Sequence, residues 1–307
     1  MKIFTHNFNP RSNSGPNKFT RQLFKTLIKN ESIELTDSQS AADVEFCLIQ
    51  QQVHKVKPMV LRLDGIYFNS EQNYNQQNAP ISFAYNNADI VVFQSDFNRR
   101  LTEKWFGVHK NYHVIHNAPD LEVISRANRN YFNSIFNKDT EVWSCASSWR
   151  PHKRLKDNVE YFLEFAPQDA IFAIAGALHL DEAKSLLARD KRIHVLGDLD
   201  YMSLLSLYKR SKTFVHLAYL DHCPNVVVDA QAAGCHIVCS STGGTKEIVT
   251  KGTVIYEKDW DLSPIRLYEP PKLDYKNSGI IRSHQNGDGK NIINCAESYC
   301  KLFKSLL

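Results

Sequence analysis

Two acidic residues eight positions apart give the sharpest chemical signal in this 307-residue sequence. The stretch Asp221-His222-Cys223-Pro224-Asn225-Val226-Val227-Val228-Asp229-Ala230 follows a strand-like apolar run and ends inside a helix-like one. The backbone amides of Asn225 and Val226 then open a helix and are placed to meet an anion. Asp229, inside that helix, is suited to accept hydrogen bonds from vicinal hydroxyls such as those of a ribose. The competing reading is an acidic loop with a dipole-favoured Asp. A second cluster, Ser147-Ser148-Trp149-Arg150-Pro151-His152-Lys153-Arg154, sets three cations within five residues, with Pro151 stiffening the loop. Fixed positive charge there would stabilise a departing diphosphate. A solvated basic turn at a helix start is the alternative.

These side chains need rigid elements to hold them. Strand-like runs occur at Lys2–Thr5, Val44–Ile49, Pro58–Leu63, Ile90–Phe93 and Tyr112–Ile115. An amphipathic helix carrying Phe19, Leu23, Phe24, Leu27 and Ile28 follows Gly15, and another covers Asp96–Phe106. Asp120–Lys138 is polar and reads as a crossover. The pattern then restarts, with strands at Glu141–Ala146, Ala170–Ala175, Ile193–Leu196, Thr213–Leu217 and His236–Ser240. Helices are expected at Leu155–Phe165, Tyr201–Arg210, Val226–Ala233 and, briefly, from Thr245. Asp259–Asp288 reads as irregular, and Lys290–Leu307 as an amphipathic helix. Apolar strands alternating with helices predict two doubly wound α/β domains, whose strand ends line a shared cleft.

Composition removes several classes. A net charge of +4 over the whole chain makes no nucleic-acid footprint. No apolar run approaches the roughly 20 residues of a membrane span, and Met1–Phe8 is too polar for a signal peptide. Seven scattered cysteines fit neither a disulfide scaffold nor a zinc site, and suit a reducing compartment. There is no Gly-x-Ser-x-Gly elbow, no P-loop and no Gly-x-Gly-x-x-Gly. Glycine is scarce, at twelve residues, yet Gly15, Gly65, Gly176, Gly197, Gly234, Gly243 and Gly244 fall at expected element ends.

Taken jointly, these segments resemble the GT-B glycosyltransferases of the retaining family 4 (group 1) type. The family's Glu-x7-Glu is matched by Asp221 and Asp229, and its Ala-x-x-Ala-x-Gly stretch is resembled by Ala230, Ala233 and Gly234, with the glycine one position early. Its Gly-Gly-x-x-Glu turn is matched by Gly243, Gly244 and Glu247. Its Gly-Arg-x4-Lys-Gly is matched only at Lys153: Ser148 stands in the Arg position and Arg154 in that of the last Gly. Ala173–Ala177 and Val195–Asp198 resemble the strand turns beside the nucleotide, and Ile115–Asp120 resembles Ile-x-Asn-Gly-x-Asp with Ala118 for Gly.

The resemblance implies transfer of a sugar from a UDP- or GDP-sugar to an acceptor hydroxyl with retained configuration, a hexosyltransferase-type activity. It implies no cofactor and no metal. Catalytic roles fall to Lys153, Arg150 and Asp221. Donor-binding roles fall to Gly15, Ser148, Arg154, Gly176, Leu196, Gly197, Cys223, Pro224, Asn225, Val226 and Asp229. Asp64, His116 and Asn117 are expected on the acceptor side. Whether Arg150 or Arg154 replaces the missing Arg stays open. The expected domains are 1–138 on the acceptor side and 139–285 for the nucleotide sugar, with 286–307 crossing back. The partners implied are a glycan, lipid-linked or protein acceptor, in the cytoplasm, with peripheral membrane contact through the Asp96–Phe106 helix as one option. A non-catalytic GT-B binding protein and a GT-B sugar-nucleotide epimerase remain as alternatives.

Overall fold

The computed structural model describes residues 1–282 and 291–307. The first sheet contains β1 (Lys2–His6), β2 (Glu34–Thr36), β3 (Val44–Leu48), β4 (Met59–Leu63), β5 (Ile90–Phe93) and β6 (Tyr112–Val114). They run parallel in the order β2-β1-β3-β4-β5-β6. β3 and β4 are buried along their whole length, which explains their unbroken apolar character apart from Glu45 and Arg62. α1 (Gly15–Asn30) covers one face; α2 (Tyr74–Asn87) and α3 (Asp96–Phe106) cover the other.

The linking segment crosses between the two sheets and carries apolar anchors of its own. It forms α4 (Leu121–Arg126), and Ile124, Phe132 and Phe136 are buried in the second domain's core. The second sheet holds β7 (Val142–Ala146), β8 (Ile171–Ala175), β9 (Ile193–Gly197), β10 (Thr213–His216), β11 (His236–Ser240), β12 (Lys251–Ile255) and β13 (Ser278–Arg282). Its order is β13-β12-β11-β10-β7-β8-β9. It is parallel except for β13, an antiparallel edge strand inside a segment expected to be irregular. Its helices are α5 (Leu155–Phe165), α6 (Leu180–Arg189), α7 (Tyr201–Arg210), α8 (Asn225–Ala232) and the short α9 (Thr245–Ile248).

The chain then returns to the first domain. The expected helix start at Lys290 and the expected boundary at 285/286 lie outside the described residues. From Asn291, whose side chain caps the helix, α10 (Ile292–Lys304) packs Cys295, Ala296, Tyr299 and Phe303 into the core beneath α1. Earlier, Trp260, Leu262, Ile265 and Leu267 of the second domain's long loop pack against the α2–α3 side. Trp105 of α3 donates to Leu262 O at 2.9 Å, and Phe97 and Leu101 are buried. The aromatic face of α3 is therefore occupied by protein.

Arg62 ties the first domain together. Its fully buried guanidinium meets Asp64 at 2.9 Å, donates to Asn117 Oδ1 at 2.8 Å and to Tyr299 OH at 3.1 Å, and lies 4.0 Å over the Phe19 ring. It thus joins β4, α1, α10 and the loop after β6. Breaking one partner out of a buried ion pair costs about 3–5 kcal/mol. Arg62→Met is expected to lower the thermal midpoint and denaturant stability by that order. A loss below about 1 kcal/mol, the size of a surface pair, would contradict this role.

Candidate active site

The strand ends of the two sheets face each other, and the loops after β7 and β10 build most of the site. β10 ends at His216. The chain then passes Leu220, whose φ is +54°, and delivers Asp221 back toward the strand end. Asp221 Oδ2 accepts from Lys153 Nζ at 2.6 Å and lies 3.0 Å from His216 Nε2; Oδ1 accepts from the His222 amide at 3.0 Å. Burial alone would raise the Asp221 pKa, but Lys153 and His216 outweigh it and hold the carboxyl well below the usual range. Burial pushes His216 down against the pull of Asp221, so at neutral pH a neutral imidazole donates to the carboxylate.

The Gly243-Gly244 turn lies directly on this loop. A Cβ on Gly243 would sit 2.4 Å from Asp221 O, and one on Gly244 would sit 2.0 Å from His222 O. The Gly244 amide donates to Asp221 O at 2.7 Å. Side chains at either position would displace the backbone that presents the carboxylate. Glu247, in the same turn, accepts from the Asp96 and Phe97 amides at 2.6 and 2.8 Å, capping α3 from across the domain boundary.

Lys153 ends a single turn of 3₁₀ helix, Pro151–Lys153, and Arg154 follows in the left-handed region at φ +51°. A glycine suits that conformation, as the family pattern has it. Arg154 does not face the donor. Its guanidinium is buried, pairs with both Glu257 oxygens at 3.0 and 2.7 Å, and donates to Pro271 O at 2.6 Å. Its expected donor-binding role is corrected to a structural one. Arg150 is exposed and borders a cavity of about 320 Å³ with Lys153, Asp221 and His222. His152 is buried, stacked 5.5 Å from Tyr268, and burial followed by the neighbouring Lys153 lowers its pKa to about 3.

A larger cavity of about 860 Å³ opens on the other side of the same loops. Ser148, Asn225 and Asp229 line it together with Asp198, Leu199, Asp200 and Tyr201. Asp229, on α8, receives the Tyr201 hydroxyl at 3.2 Å. Burial raises its pKa to about 7, with Tyr201 opposing. Gly176 allows the 147–149 loop to lie on the end of β8: a Cβ there would sit 2.0 Å from Ser147 O. Leu196 packs against the core and does not line this cavity; the next residues, Asp198 and Leu199, do. Gly197 O accepts from the Gly176 amide at 2.7 Å.

The remaining expected residues form the domain junction. Asn117 donates to Cys223 O at 3.0 Å and Asn225 Oδ1 at 2.7 Å, and Asn225 donates to Gly15 O at 3.1 Å. Cys223 is buried there, which pushes its thiol up to about 12, and Pro224 and Val226 flank the start of α8. Asn117 is thus a tie between domains and is not presented to an acceptor. Asp64 is held against Arg62, and burial, opposed by Arg62, raises its pKa. His116 lies 3.8 Å from Glu247. Two site residues escaped the sequence reading. His216 reads as a packed strand residue, and its only signal is its place at a strand end five positions before Asp221. Tyr201 opens α7 and was visible only as a helix start.

The family model of glycosyl transferases group 1 matches residues 128–262, the segment holding Lys153, Asp221 and Asp229. Among solved structures, HepE of Anabaena in complex with UDP-glucose is 15% identical, with 87% of each chain covered and a TM-score of 0.64. The chain is a GT-B protein with a group 1 glycosyltransferase domain. This places it among the glycosyltransferases (EC 2.4). Sucrose-phosphate synthase of Thermosynechococcus elongatus is 11% identical, covering 84% of this chain and 86% of that one, with a TM-score of 0.69. WaaG, a glycosyltransferase involved in lipopolysaccharide biosynthesis, is 12% identical, covering 87% and 90%, with a TM-score of 0.63. No curated protein sequence matches this GT-B chain.

The two site aspartates of this glycosyltransferase respond oppositely to pH. An unfolded Asp titrates near about 4, whereas folded Asp229 titrates at about 7. Its raised pKa contributes stability that is full below the unfolded value and is lost as pH rises through the folded one. Asp229→Asn is therefore expected to match the unaltered protein in thermal midpoint near pH 4 and to exceed it by a margin that grows toward pH 8. A margin independent of pH would contradict the buried state assigned to Asp229.

Proposed function

We propose that the chain transfers a sugar from a nucleoside diphosphate sugar to an acceptor hydroxyl, with the anomeric configuration retained. The observation that carries this reading is the largely buried Lys153–Asp221–His216 cluster at the strand ends facing the first domain. In this reading the nucleotide occupies the larger cavity, with its ribose hydroxyls on Asp229 at one end of the loop and helix. Asp221, at the other end, holds the donor sugar through its hydroxyls. As the bond from the sugar to the diphosphate breaks, negative charge develops on the leaving group. Lys153, with the exposed Arg150 beside it, supplies the opposing charge, and the Asn225 and Val226 amides add the positive end of α8.

His216 keeps Asp221 ionised and oriented, so that Asp221 in turn positions Lys153. UDP- or GDP-sugars are the donors the reading favours, and the acceptor is a glycan, lipid-linked or protein hydroxyl reached from the first domain near Asp64 and His116. The reaction is proposed to need no metal, because side-chain cations stand where a divalent ion would otherwise neutralise the diphosphate. All seven thiols are unpaired, which supports a cytoplasmic setting.

Removing one preorganised group that stabilises developing charge typically costs about 100-fold or more in kcat. Lys153→Ala and Asp221→Asn are expected to lose that much in sugar transfer while keeping the fold, and EDTA is expected to leave the unaltered rate intact. Transfer by Lys153→Ala within a few-fold of the unaltered protein would overturn the role given to that residue.

A further inference from the structure

The larger cavity has walls of opposite sign. On the second-domain side stand Asp198, Asp200 and Asp229, and Ser148 occupies the position where the family pattern has an arginine. The cations lining this cavity, Lys18, Arg21 and Lys25, all come from α1 of the first domain. Their spacing of three and four stacks them on one face of that helix. Arg21 is partly engaged, donating to Pro10 O at 2.7 Å and Ser12 O at 3.3 Å. The next cation on the stripe, Lys29, leans on Glu122 at 3.7 Å. The side-chain ammonium groups of Lys18 and Lys25 make no hydrogen bond or ion pair among the described residues, although acids line the opposite wall. Contact between the domains at this place is already made, because Asn225 of α8 donates to Gly15 O at the first residue of α1.

A nucleoside diphosphate seated over Asp229 would bring its phosphates against a wall that carries carboxylates and lacks the expected arginine. Attraction from across the cleft is needed to offset that repulsion. We propose that Lys18 and Lys25 supply the phosphate-binding charge that Ser148 does not, so that the diphosphate is gripped between the two domains. This rests on the donor reading above and adds two residues of the first domain to the donor site. Binding of the diphosphate then draws on residues of both domains, whereas the nucleoside alone is held by the second. Lys18 already acts on this site. It opposes, to a small extent, the burial that raises the pKa of Asp229.

The test uses the full chain, with calorimetric titration of UDP, GDP and ADP and ligand-observed NMR of the matching nucleosides. A hydrogen bond to a charged group is worth enough that losing it weakens binding about tenfold. The Lys18→Ala/Lys25→Ala double variant is expected to lose about that factor or more for the diphosphate that binds best, with its nucleoside unaffected. Adding Ser148→Arg to the double variant is expected to recover most of the loss, and Lys18→Arg/Lys25→Arg to show none. Unfolding of each ligand-free variant at the same temperature as the unaltered protein confirms its fold. Unchanged diphosphate affinity in the double variant would overturn the proposal alone. So would an equal loss for diphosphate and nucleoside. Failure of the unaltered protein to bind any nucleoside diphosphate would overturn the donor reading and this proposal together.

Discussion

The carboxylate of Asp221 has to remain ionised in a place where burial disfavours charge, and much of the second domain is arranged around that requirement. A lone buried carboxylate would take up a proton. Lys153 at 2.6 Å and the neutral His216 at 3.0 Å prevent this, and in doing so they fix where both charges lie. Three backbone features serve the same end. Leu220 takes a positive φ to turn the chain, Gly243-Gly244 presses on the loop at distances no side chain tolerates, and Arg154 adopts a left-handed conformation just after Lys153. Arg154 then sends its own guanidinium away, into a buried pair with Glu257. One basic segment is thereby divided between an anchor that holds the loop and a lysine that faces the cleft.

The first domain is bound to this loop through polar contacts of defined geometry. Arg62 orients the Asn117 amide, which grips Cys223 and Asn225 at the start of α8. Glu247 reaches the other way and caps α3. α10 closes the circuit, since Tyr299 accepts from the same Arg62. The residues on either side of the cleft are therefore positioned relative to one another, and α1 is held where its lysines border the cavity that Asp229 lines.

Much of this was legible in the sequence because strands buried on both faces leave unbroken apolar runs. α3, α5, α7 and β11 follow the expected limits, and Asp221, Asp229 and Lys153 stand on the elements their spacing implied. The losses have physical causes. α2 has little apolar periodicity: its Asn-rich surface is held by the Asn73 cap and by Asn78, whose side chain pairs with both backbone groups of Tyr67. β13 is an edge strand with every other residue exposed, in a segment dominated by charge and proline. Arg154 was misread because a cation in a basic turn looks the same in sequence whether it meets phosphate or Glu257, which lies 103 positions away. His216 lies only five positions before Asp221, but nothing in the sequence shows the chain turning back after the strand to bring that carboxylate onto its imidazole.

The most direct test is proton NMR of the unaltered protein with a panel of nucleoside diphosphate sugars and simple sugar acceptors. The account predicts a new glycosidic anomeric signal with the configuration of the donor, growing in step with released nucleoside diphosphate and only when an acceptor is present. Interconversion of the donor sugar without an acceptor, or tight binding with no turnover across the panel, would contradict it.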